Sequence, residues 1–230
     1  MTHLNRYARI DSKFRREFLL LQGTGCIWKQ CSFCDYHKDS SETPFITNKV
    51  VLDQVTGIYQ VLDIINSGSG MELDFETITY LQTIVLEKKI KVMWFEAHYL
   101  YRQTLSDFAA LFPSVEIKFR CGVESFSAKR RLLWHKGIPS SVTPQEISKY
   151  FQGICLLTCV KGQTKEEILN DIEIAKKYFE YFSVNVFCNN STKEKQDPEL
   201  VSWFMEEVYP RLKKESKVEV LIQNTDLGVG

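Results

Sequence analysis

The sequence predicts an α/β fold built on a parallel sheet, and three observations carry that expectation. Short β-rich runs alternate strictly with longer amphipathic stretches, six or seven times along 230 residues. The β-rich runs are continuously apolar, as in strands buried on both faces. Glycines and polar residues gather directly after those runs, the end at which α/β sheets bind their ligands.

In chain order, the first strand is expected at Phe18–Gln22, ending in Gly-Thr-Gly. A helix follows over Asn48–Tyr59, then a strand at Val61–Asn66 closed by Ser-Gly-Ser-Gly. A helix at Phe75–Glu87 precedes the strand Lys91–Glu96, and a helix at Tyr101–Leu111 precedes Val115–Glu124. The second half continues with a helix at Thr143–Tyr150, a strand at Ile154–Val160 and a long helix at Lys165–Phe182. Ser183–Cys188 reads as a strand, Asp197–Lys214 as a helix and Val218–Gln223 as a last strand. Thr164 with Glu167 is a capping-box pattern, and Pro198 sits where a first helical turn loses nothing by its missing N–H. The alternation fits an open doubly wound sheet and a complete or partial barrel equally well.

Composition narrows the functional classes. Lys+Arg and Asp+Glu both number 29, the net charge is zero and the pI is near 6.9. No extended basic surface for nucleic acid is expected from that balance. The N-terminus is punctuated by Arg6, Arg9, Lys13, Arg15 and Arg16, so it lacks the uninterrupted apolar core of a signal peptide. No run approaches the ~18 apolar residues of a membrane span, and a cytoplasmic location is expected. Seven cysteines, an odd number in such a chain, do not read as a disulfide framework. Cys121, Cys155, Cys159 and Cys188 lie in apolar runs and read as small buried hydrophobes.

The other three stand together in GTGCIWKQCSFCDYH, with Cys26, Cys31 and Cys34 at the spacing C-x4-C-x2-C. Three metal centres suit that stretch. Cys26, Cys31, Cys34 and His37 would make a Cys3His zinc set, although zinc staples usually serve domains that lack a core. A plant-type [2Fe–2S] cluster uses the same spacing with a distant fourth cysteine. A [4Fe–4S] cluster on three thiolates leaves one iron open, as a catalytic centre requires.

The triplet follows the first strand, with Phe33 just before its last cysteine, and there the sequence resembles the radical S-adenosylmethionine (SAM) superfamily. The usual spacing in that superfamily is C-x3-C-x2-C; one residue more separates Cys26 from Cys31. NSGS at Asn66–Ser69 is similar to its strand-two glycine motif, GVES at Gly122–Ser125 to its strand-four motif, and Lys161–Ile172 to its strand-five segment. The resemblance implies a partial (β/α)6-type barrel. The whole would be a single domain over 1–230, with an extension at 1–17, the core at 18–190 and a C-terminal helix and strand at 191–230. It also implies a [4Fe–4S] cluster on Cys26, Cys31 and Cys34 that cleaves SAM reductively to abstract a hydrogen atom. Ser67 and Gly68 would meet the methionyl amino group. Glu124, with Ser125 beside it, would accept from the ribose, and Phe33 and Tyr36 would pack near the adenine.

As a whole the chain resembles the queuine lyase type within that superfamily. The resemblance implies release of queuine from queuosine 5′-phosphate, with a flavodoxin- or ferredoxin-type electron donor. A small-molecule nucleotide or deazapurine substrate suits so short a chain. Glu96 and His98 are candidate catalytic groups. Glu96, Tyr99, Lys136, Asn189 and Asn190 are candidate substrate contacts, Glu96 for the deazaguanine edge. A 7-carboxy-7-deazaguanine synthase-like enzyme is the alternative, with Ser32 or Ser40 as weak candidates for its magnesium-binding hydroxyl. A non-catalytic zinc or ferredoxin-type module is the alternative from another class.

Overall fold

The computed structural model describes residues 4–230. Of the extension expected over 1–17, residues 1–3 therefore lie outside the described residues. The chain divides into two compact units: Met1–Lys29, Tyr36–Phe119 and Thr225–Gly230 make the first, and Gln30–Asp35 and Arg120–Asn224 the second.

In the first unit, β1 (Tyr7–Ile10) pairs antiparallel with β2 (Arg16–Leu21). β3 (Val61–Asn66) and β4 (Val92–Glu96) then add in parallel. Leu19, Leu21, Leu62, Ile64, Met93 and Phe95 are all fully buried. Half-exposed Leu20, Ile65, Trp94 and Glu96 alternate with them, the two-residue period of a strand. α1 (Pro44–Leu52) starts on a proline. α2 (Phe75–Glu87) is capped by Asp74, whose side chain accepts from the Thr77 amide. A short α3 (Leu105–Ala109) follows β4. Arg16 and Asp63 form an ion pair at 2.7 Å, both almost fully buried. Glu17 is buried as well, and its carboxylate accepts from the amides of Thr56 and Gly57 and from the Tyr7 hydroxyl.

β5 (Glu116–Glu124) ends in the second unit and is followed by α4 (Ala128–Leu133) and α5 (Pro144–Ser148). Then come β6 (Gly153–Thr158), α6 (Lys165–Tyr178) and β7 (Tyr181–Val186). α7 (Pro198–Trp203) passes through a π turn at Phe204–Val208 into α8 (Tyr209–Leu212), and β8 (Val218–Leu221) closes the order. β5 to β8 are parallel neighbours. Ile154, Leu156, Phe182, Val184 and Val218 make an apolar face. Cys155, Tyr181, Ser183, Asn185 and Glu219 alternate with them, and the Tyr181 hydroxyl donates to Glu219 at 2.7 Å.

In both units strands neighbour one another in chain order. A doubly wound sheet reverses its order at a switch point, so this is the order of a (β/α) barrel. The capping box at Thr164 and Glu167 and the place of Pro198 are as expected.

Several boundaries differ from expectation. β1 lies inside the expected extension. The helix expected at Asn48–Tyr59 starts at Pro44 and stops at Leu52, because Glu17 captures the amides of Thr56 and Gly57. The helix expected at Tyr101–Leu111 is a 3-10 turn followed by the five residues of α3. Tyr181 and Phe182 belong to β7 rather than to α6, and α4 was not expected. No helix among the described residues is long and apolar enough to cross a membrane.

Candidate active site

In the first unit, the loop after β2 meets the loop after β3. The Gly23 amide donates to Ser67 Oγ at 3.3 Å, so Ser67 supports the start of the cysteine loop. Asn66, the last residue of β3, donates from Nδ2 to the Ser69 carbonyl at 3.0 Å. Its Oδ1 is buried and has no hydrogen-bond partner among the described residues. Ser69 and Glu72 form a capping box, with the Ser69 amide donating to Glu72 Oε2 at 2.6 Å. Gly68 has no room for a side chain: a Cβ there would lie 1.8 Å from Glu72 Oε2.

After β4, Glu96 is half-exposed at the strand end. His98 stacks on Trp28 with ring centroids 5.5 Å apart, and its Nδ1 accepts from the Leu100 amide at 3.2 Å. Tyr99, expected against substrate, is instead buried, with the Arg102 guanidinium 4.6 Å over its ring.

The second unit holds Cys31 and Cys34. Both pack on a buried cluster of Phe33, Trp134, Leu157, Val160 and Phe187. Phe33 meets Trp134 edge-on at 5.5 Å. The segment is tied down from two sides: the Ser32 amide donates to the Trp134 carbonyl at 3.0 Å, and Asn190 Nδ2 donates to the Phe33 carbonyl at 2.8 Å. Asp35 accepts from the Ser191 amide and hydroxyl, and the Ser32 hydroxyl donates to Glu194 at 2.6 Å. Asn189 Oδ1 accepts from the Gln196 amide in the same loop. The two asparagines thus shape the loop that carries them. Tyr36, in the first unit, is 60% exposed on a 3-10 turn.

Lys136, expected on an open loop, is buried and pairs with Glu124 at 3.0 Å. Its burial works against the charge, but Glu124, with Cys31 and Cys121, outweighs that and raises the ammonium well above its ordinary value. Glu124 sits after a break in register with β6 and takes a left-handed backbone, φ 66°. Ser125 is fully buried; its hydroxyl bonds Asp171, which also accepts from the Phe126 amide at 2.8 Å.

The thiols divide by setting. Cys26, Cys31 and Cys34 are half-exposed and free of disulfides, while Cys121, Cys155 and Cys159 are buried. Burial pushes the Cys159 thiol up to about 11, which suits a small hydrophobe and not a thiolate ligand. Cys188 departs from the buried reading and is half-exposed. Among the described residues no group of three or more His, Cys, Asp or Glu side chains converges as a single metal ion requires. The donor chemistry fits a cluster: three reduced thiols on one loop, the Cys26 sulfur receiving the Lys29 amide at 3.5 Å. The orphaned Asn66 acceptor fits a ligand that brings an amino donor. Ser32 and Ser40 are engaged, with Glu194 and the His37 carbonyl respectively.

No family model and no curated protein matches the chain. A solved structure does: the queuine lyase from Clostridium spiroforme bound to SAM and queuine. It is 42% identical, with a TM-score of 0.94 over 99% of this chain and 100% of that one. This chain belongs to the queuine lyase family. The radical SAM resemblance of the cysteine triplet and the strand-end motifs accords with that membership, and the likeness in fold to the lyase covers 99% of this chain. The cobalamin-dependent SAM radical enzyme OxsB is also similar, at 17% identity and a TM-score of 0.40 over 70% of this chain and 26% of that one. The assignment does not rest on it.

Sequence reasoning missed Glu72 and Trp28. Glu72 was readable as the acid of a Ser-x-x-Glu capping box after Ser69. Trp28 carries no pattern that marks it.

Proposed function

We propose that the protein is a queuine lyase, releasing queuine from queuosine 5′-phosphate with a [4Fe–4S] cluster and SAM. The observation that supports this is the end-to-end likeness to the SAM- and queuine-bound lyase, at 42% identity. Cys26, Cys31 and Cys34 would hold the cluster. When bound, cluster and SAM supply a one-electron cleavage whose product abstracts a hydrogen atom from the substrate.

The chain's own residues then bind and orient. Asn66 Oδ1, an acceptor left without a donor among the described residues, suits the methionyl ammonium beside Ser67 and Gly68. Glu124 accepts from the ribose hydroxyls, its charge balanced by Lys136 at 3.0 Å. Phe33 serves as part of the apolar floor under Cys31 and Cys34, and Tyr36 as an exposed ring toward adenine. Glu96, half-exposed at a strand end, takes the deazaguanine N–H edge, since a carboxylate can accept two such bonds. His98, which stacks on Trp28, would move a proton near that strand end. A flavodoxin- or ferredoxin-type carrier in the cytoplasm supplies the electron.

The test is anaerobic reconstitution followed by incubation with SAM, dithionite and queuosine 5′-phosphate, read by mass. Free queuine with 5′-deoxyadenosine is expected, and about four iron and four sulfide per chain. Cys31→Ala should abolish both products. No queuine from competent, SAM-cleaving protein would overturn the substrate, and stoichiometric zinc without sulfide would overturn the whole reading. Turnover of a pterin in its place would favour a 7-carboxy-7-deazaguanine synthase-like activity.

A further inference from the structure

Glu72 lies on neither the cysteine motif nor a strand, yet it holds the cysteine loop on both sides of Cys26. Its main-chain carbonyl accepts from the Thr24 amide at 3.1 Å and the Thr24 hydroxyl at 3.2 Å. Its carboxylate Oε1 accepts from the Ile27 amide at 2.8 Å. These contacts fall on either side of Cys26. The same Oε1 accepts from the Tyr101 hydroxyl at 3.0 Å, and Oε2 accepts from the Ser69 amide at 2.6 Å.

Each contact does separate work. The capping-box bond fixes the carboxylate against the turn at Gly70–Glu72. Tyr101 anchors it from the 3-10 turn after β4. With both in place, Oε1 can aim at one amide of an otherwise exposed loop. Gly68 is glycine for the same reason: a Cβ there would also lie 2.9 Å from the Gly25 carbonyl. The space that a side chain would fill belongs to the Glu72 carboxylate.

We infer that Glu72 is a positioning residue for Cys26: it fixes the backbone before and after the thiol, so that the loop reaches the cluster preformed. The inference rests on Cys26 being a cluster ligand, but its test begins without one. A preformed loop avoids an ordering cost when the ligand binds, and outer groups that orient a metal ligand affect affinity by about 10- to 100-fold.

The experiment uses wild type, Glu72→Ala, Glu72→Gln, Tyr101→Phe and Gly68→Ala as full chains. The apo-proteins are alkylated with iodoacetamide, and the peptides of Cys26, of half-exposed Cys188 and of buried Cys159 are followed by mass. Matched samples are reconstituted with iron and sulfide, then examined for iron content and for the electron paramagnetic resonance spectrum of the reduced cluster. Cys26 should react on the order of tenfold faster in Glu72→Ala, with Cys188 unchanged. Retained iron should fall to roughly half or less with a broadened spectrum, as loss of an orienting partner predicts. Gly68→Ala should behave like Glu72→Ala, and Glu72→Gln should recover part of the wild-type behaviour.

Wild-type Cys26 reactivity, iron content and spectrum in both Glu72 variants would overturn the inference. If Glu72→Ala also makes the buried Cys159 reactive, it has unfolded, and Glu72→Gln with Tyr101→Phe decide the matter by the same readings. Failure of the cluster assignment itself looks different: wild type would then take up no iron at all.

Discussion

The Lys136 ammonium and the Glu124 carboxylate meet at 3.0 Å with side chains only 10% and 11% exposed, and the backbone is bent at both ends to bring them there. Glu124 and His135 both take left-handed conformations, φ 66° and 51°, and Gly137 follows at 74°. Gly122 leaves the pair its room: a Cβ there would lie 2.6 Å from Glu124 Oε1 and 3.1 Å from Lys136 Nζ. Removing one partner strands a buried charge, which costs roughly 3 to 5 kcal/mol. Glu124→Gln should therefore lower the urea midpoint far more than the double change Glu124→Gln with Lys136→Met. A single variant as stable as the double one would show that the pair is not held dry.

Asp171 gives stability a pH dependence. Burial pushes its carboxyl up to about 6, with the bonds from Ser125 and Phe126 offsetting part of that rise. The folded state keeps its proton after the unfolded chain, near 3.8, has lost it. Stability from this group is thus full below about pH 4 and is lost as pH rises through 6, on the order of 2 to 3 kcal/mol. Relative to Asp171→Asn, wild type should lose melting temperature between pH 5 and pH 7. Parallel melting curves for the two proteins would contradict this.

The clamp on the Cys31–Cys34 segment is measurable by hydrogen exchange. Asn190→Ala removes the bond to the Phe33 carbonyl, and Ser191→Ala one of the two to Asp35. Each should cost about 1 kcal/mol locally and speed amide exchange over residues 31–35. The amides of β6, buried along the whole strand, should stay protected in both variants.

Thiol titration should separate the cysteines by burial. Four are half-exposed and three are buried among the seven. In folded apo-protein at pH 8, a disulfide reagent should modify Cys26, Cys31, Cys34 and Cys188 quickly. Cys121, Cys155 and Cys159 should react only on unfolding, Cys159 last because its thiol is pushed up to about 11. Early modification of Cys159 would argue against that burial.

Much of the architecture was legible because parallel strands announce themselves as apolar runs. β1 was not, since an edge strand paired on one side only needs no such run, and Tyr-Ala-Arg-Ile stays half-exposed. α4 was hidden by an inverted pattern. Arg130 and Arg131 are its buried residues, bonded to Gly162 and Glu167 and to Pro139 and Val142, while Leu132 is 76% exposed. At the site, the cysteines and the strand-end motifs were readable because their chemistry is local. The bonds of Asn190 and Ser32 were not, for their partners lie 157 and 162 positions away along the chain. Lys136 reads as solvated until Glu124 is seen beside it.

The left-handed backbone at Glu124 has a consequence for anyone altering this protein. A non-glycine residue in that region is strained by about 1 to 3 kcal/mol, and glycine would relieve the strain without a change of path. A redesign scored on stability alone would therefore be drawn to Glu124→Gly. It would give up the acid that pairs with Lys136, and a hardier scaffold would emerge without the group proposed to accept from the ribose.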